Sequence, residues 1–151
     1  MGLKHRKTLQ ILNLDTRQKD LYAQRPLLGA DEMIYESTGH GRPIYISHTV
    51  LRETKLPDEL PFYYTHAKKR IVLGKVRDLK YDITSKSILG DLIVSKRWNA
   101  FVLDKFKEGV NGLSVEFDSY EKRNRYLNDV ISLKLDCVCL VDRPSSHGAM
   151  I

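Results

Sequence analysis

One stretch of this chain repeats its apolar residues at helical spacing, and most of the rest alternates. Between Ser95 and Glu108, the residues Trp98, Phe101, Val102 and Phe106 recur three or four positions apart and form one apolar face. Ser95 suits the N-cap, and Gly109 suits a left-handed residue closing the helix. Around this helix lie short strand-like runs. Glu32 to Ser37 and Arg42 to Ser47 alternate around Thr38-Gly39-His40-Gly41, which predicts a hairpin. His48 to Thr54 reads as a helical turn closed by Pro57, and Pro61 to His66 reads as a strand. Ile71 to Val76 pairs naturally with Ser87 to Val94 across the polar turn Asp82 to Ser85. Gly74 inside the first of these marks a bulge or a close backbone approach. Tyr120 to Asn128 reads as a charged loop or hairpin tip, and Val130 to Val141 as a β-rich run stopped at Asp142-Arg143-Pro144. Strands do not alternate with helices, and nothing repeats. The residues alone therefore support a mostly-β barrel or an α+β domain, and the fold class expected is α+β, mostly β.

A chain of 151 residues suits one domain with one core. The division expected is an N-terminal arm over 1–25, a barrel domain over 26–144 and a short tail over 145–151. No apolar run approaches the ~18 residues of a membrane span. The basic N-terminus lacks the apolar segment of a secretory signal. The net charge of +6 is uneven: residues 1–25 contribute +4 of it. Such an arm suits an acidic protein surface. With only Tyr22 as an aromatic it offers no stacking platform, which argues against a nucleic-acid role. The two cysteines, Cys137 and Cys139, share a strand face but are poorly placed to bridge. They lack His or further Cys partners at zinc spacing, so neither metal nor cofactor is expected.

The chemistry-bearing candidates lie at strand ends. Gly109-Val110-Asn111-Gly112-Leu113-Ser114-Val115-Glu116-Phe117 carries Ser114 at the mouth of a strand, just past glycines that let a substrate chain approach. His66 ends another strand, and Asp136 lies near the end of the last. Serine needs a base to become a nucleophile, and the base needs an orienting group, so Ser114, His66 and Asp136 are the candidate triad. Each also has a plainer reading as a strand start, a backbone-bonded histidine and a solvated carboxylate.

Three blocks, in order and at matching spacing across residues 60–144, resemble the prohead (capsid maturation) proteases of tailed bacteriophages, relatives of herpesvirus assemblin. The first is Leu60-Pro61-Phe62-Tyr63-Tyr64-Thr65-His66 followed by Ile71-Val72-Leu73-Gly74-Lys75-Val76. The second is Phe106-Lys107-Glu108-Gly109-Val110-Asn111-Gly112-Leu113-Ser114-Val115-Glu116-Phe117, and the third is Cys137-Val138-Cys139-Leu140-Val141-Asp142-Arg143-Pro144.

The resemblance implies a serine endopeptidase with a barrel of about seven strands and flanking helices. Ser114 would be its nucleophile and His66 its base, and no cofactor would be needed. Its substrates would be scaffold protein, capsid-protein extensions and its own tail, inside an immature capsid in the host cytoplasm. A homo-oligomer is compatible with this. The backbone near Arg143 would hold the oxyanion. The third member would be acidic and would fall at the position of Cys137, where this chain departs from the pattern. Asp136 is one residue earlier, and a one-residue step along a regular strand reverses the face, so a bulge would be needed to re-aim it. Otherwise a Ser–His dyad acts alone, or His48 orients the base. The alternatives are a catalytically silent barrel that binds capsid protein or nucleic acid, and a Cys137 or Cys139 nucleophile.

Overall fold

The computed structural model describes residues 3–13, 22–31, 33–34, 42–66, 69–110 and 112–141, of which 3–13, 65, 66 and 69 are described by backbone alone. Its elements are β1 (Leu3–Asn13), β2 (Arg25–Gly29), β3 (Met33–Ile34), β4 (Ile44–Tyr45), α1 (His48–Glu53), β5 (Glu59–His66), β6 (Lys69–Asp82), β7 (Ser87–Val94), a 3₁₀ turn (Lys96–Trp98), α2 (Asn99–Lys107), β8 (Gly112–Arg123) and β9 (Asn128–Val141). The chain is mostly β. Seven strands form one curled half-barrel sheet in the order β1-β8-β9-β5-β6-β7-β2. Its end strands β1 and β2 come near each other without pairing. The short pair β3–β4 joins through a parallel pairing of β4 with the start of β9.

Alternation decides which face each strand buries. Leu60, Phe62 and Tyr64 of β5, Leu113, Val115 and Phe117 of β8, and Val138 and Leu140 of β9 turn to one side and are buried. Leu73 and Val76 of β6 and Ile88 and Leu92 of β7 continue that layer. Leu51 from α1 and Val102 and Phe106 from α2 complete the same apolar cluster. Ser47 caps α1 by accepting from the Val50 N–H.

The expected helix begins later than its spacing implied. Lys96–Trp98 is a 3₁₀ turn, and Ser95 makes no side-chain cap. Its end matches the expectation. Gly109 has φ +87°, its N–H bonds the Phe106 carbonyl, and the Val110 N–H bonds that of Lys105, which together form a Schellman close. The first half of the residues read as an arm is part of the sheet: β1 pairs antiparallel with β8, from Leu3 opposite Glu121 to Asn13 opposite Gly112. The hairpin tip is shorter than its charges suggested, because β8 runs to Arg123 and β9 begins at Asn128.

Candidate functional site

The three blocks of the resemblance occupy four neighbouring strands in the order β8-β9-β5-β6, with β9 between β8 and β5. β9 runs antiparallel to β8 and parallel to β5, so the end of β9 meets the start of one and the end of the other. One rung crosses all three: Ser114 pairs with Cys139, and Cys139 pairs with Tyr63. On the next rung Glu116 pairs with Cys137. These residues share the sheet face opposite the apolar cluster, because alternation has already sent Leu113, Val115, Val138 and Leu140 the other way.

This second face is polar and closed. Ser114 is 0% exposed, Cys139 1%, Cys137 2% and Glu116 5%. The expectation of an open groove around Ser114 is therefore not met: its hydroxyl is buried, and it has no hydrogen-bond partner among the described residues. A buried hydroxyl left unpaired costs about 1–3 kcal/mol, so its presence calls for a reason.

Glu116 is the hub of the group. Its Oε2 accepts from the Cys137 thiol at 3.4 Å and the Cys139 thiol at 3.5 Å, and it takes an ion pair from Arg70. The Arg70 guanidinium also lies 3.7 Å from Cys137 Sγ and 5.3 Å from the centre of the Tyr63 ring. Burial works against the Arg70 charge, but Glu116 and the adjacent sulfurs outweigh it and hold the guanidinium pKa up. The hydrogen bond with Cys139, then burial, then the electrostatic influence of Cys139 and of Glu116 push the Cys137 thiol up. Cys137 is thus protonated at neutral pH, which counts against a cysteine nucleophile at that position.

The other sequence candidates fall as follows. His66 closes β5 opposite Lys69, and its side chain lies outside the described residues. Arg143 and the tail lie outside them altogether. Asp136 does sit at a bulge: Glu116 pairs with Cys137 and Phe117 with Leu135, which leaves Asp136 as the extra residue of β9. It is exposed there, whereas its neighbour Cys137 is buried. His48 is engaged elsewhere, with Nδ1 3.3 Å from an Asp31 oxygen. Glu116 and Arg70 were missed from sequence. The available signal was a lone carboxylate inside the apolar run Leu113-Ser114-Val115-Glu116-Phe117. No family model, curated protein or solved structure matches the chain.

Proposed function

We propose that this chain is a serine endopeptidase of the prohead-protease kind, acting on scaffold and capsid protein and on itself within an immature capsid. The supporting observation is convergence. Blocks separated by many residues in sequence supply the adjacent strands β5, β8 and β9, and on the rung they share stands Ser114, its buried hydroxyl without a partner among the described residues. The curled seven-stranded sheet is compatible with the assemblin-like barrel that the resemblance implies.

In this reading His66 takes the Ser114 proton as the hydroxyl attacks the scissile carbonyl. Backbone N–H groups near Arg143 hold the oxyanion. His66 then protonates the leaving amine, and water clears the acyl-enzyme. The carboxylate role falls to Glu116 rather than Asp136. Glu116 lies on the face of Ser114 and directly across from Cys137, the position where the pattern expects an acid. The chain thus carries its carboxylate on the strand next to the expected one.

The full chain treated with a fluorophosphonate tests this. The parent should label, and Ser114→Ala and His66→Ala should not. Glu116→Gln should slow labelling about 100-fold or more, the scale of a general-base contribution, while Asp136→Asn changes it little. The opposite order for the two carboxylates would return the role to Asp136.

A second reading has one observation in its favour. Ser114 and its neighbours Glu116, Cys137 and Cys139 are 0–5% exposed, as in a silent barrel that serves only as a binding module. Absence of labelling, together with an uncleaved precursor, would select that reading.

A further inference from the structure

Glu116, Cys137 and Cys139 offer one oxygen and two sulfurs from two adjacent strands, all buried and all within 4.8 Å of one another. The sulfur–sulfur distance is 4.0 Å, and the sulfur–oxygen distances are 3.4 and 3.5 Å. A tetrahedral zinc ion with Zn–S near 2.3 Å and Zn–O near 2.1 Å needs a sulfur–sulfur edge of about 3.8 Å and sulfur–oxygen edges of about 3.6 Å. The three edges agree with those values to about 0.2 Å, with no backbone movement.

Charge points the same way. Two thiolates and a carboxylate bring −3, a divalent ion leaves −1, and Arg70, already on Glu116 and beside Cys137, cancels it. A buried ion cluster is tolerated only when it is close to neutral, so the arrangement favours a divalent ion. Two sulfurs favour zinc-like ions over magnesium or calcium. On the same face and the same rung as Cys139, Ser114 Oγ is buried and has no hydrogen-bond partner among the described residues.

We propose that Glu116, Cys137 and Cys139 form a binding site for a thiophilic divalent cation of the zinc class, closed on its outer side by Arg70. As two metal–sulfur bonds form, the two thiol protons leave to solvent, and the thiol–carboxylate hydrogen bonds are exchanged for coordination. The Arg70 side chain is 43% exposed, which makes it the group that swings aside for entry. Glu116 cannot ligate an ion and orient His66 at once, so a bound ion and the peptidase role of Glu116 are alternative states of this face; the readout of the site is the bound ion itself.

The test uses the full chain, reduced and freed of metal, titrated with Co²⁺ and then Zn²⁺. One Co²⁺ should bind per chain with a thiolate-to-cobalt charge-transfer absorption in the near ultraviolet, and Zn²⁺ should bleach it. Cys137→Ser and Cys139→Ser should each lower that absorption and weaken binding. Arg70→Ala should keep the absorption but weaken binding about 10- to 100-fold, as loss of a group supporting the ligands does. Because the cobalt spectrum of the unaltered chain reports sulfur ligation directly, a variant that fails to fold leaves the test intact. Cobalt binding without the thiolate band, or no binding, would overturn the proposal.

Discussion

Ser114 concentrates what is unusual about this molecule at the level of single residues. A strand serine on a closed face normally finds a carbonyl or another hydroxyl, yet Ser114 Oγ is buried with no partner among the described residues. Three strands away, Arg70 holds a carboxylate that already accepts two thiols, so the face is polar by construction rather than by accident. If the hydroxyl is kept for chemistry, it is kept at a cost in stability, and removing it should return that cost. Ser114→Ala should therefore raise the urea midpoint, by about 1 kcal/mol in free energy at unchanged slope. The same substitution abolishes fluorophosphonate labelling in the proposed function. A fall in stability instead would mean that the hydroxyl makes a bond worth keeping.

Among the elements, the bulges rather than the strands set the geometry. On β6, Gly74 pairs with Phe62 and Val72 with Tyr63, so Leu73 is an extra residue there and is wholly buried. Gly74 makes this possible. A Cβ at that position would stand 1.9 Å from the Ile93 carbonyl oxygen, and its φ is +158°. Gly74→Ala should therefore cost about 3 kcal/mol, the upper end for forced overpacking, as read by chemical denaturation. Much of this level was legible in the sequence. Alternation located β5, β7 and the first half of β6, helical spacing located α2, and Gly109 marked its close. Gly74 announced its own crowding, because a glycine inside a β-rich run has few other reasons to be there. The pairing of Glu116 with Cys137 was not legible, since it depends on strand order and register, which local periodicity does not encode. The bulge at Asp136 entered the sequence reading only as the condition for re-aiming that carboxylate, because alternation by itself does not locate an extra residue. The search for a carboxylate along β9 therefore passed over Glu116 of β8, which shares the sheet face of Ser114.

At the scale of the whole molecule, the N-terminal charge acquires a structural explanation. β1 ends the sheet and carries Lys4, His5, Arg6 and Lys7 in sequence, a run of basic side chains of the kind that discourages a further strand from adding to an exposed edge. Charge that read as an arm for an acidic surface thus also suits an edge strand. β1 in turn covers β8, pairing Gln10 with Ser114 and Thr8 with Glu116, so the strand that carries the site is interior only because β1 is present. Deleting residues 1–13 would turn β8 into an edge with unpaired N–H and C=O groups along most of its length. Each lost backbone bond is worth about 1 kcal/mol net, and a bared edge strand is a template for pairing with another chain. The shortened chain should unfold at lower urea than the parent and elute from a sizing column as oligomers, with light scattering giving their mass. A monomer of parental stability would mean that β1 lies outside the cooperative unit and that β8 holds Ser114 in place without it.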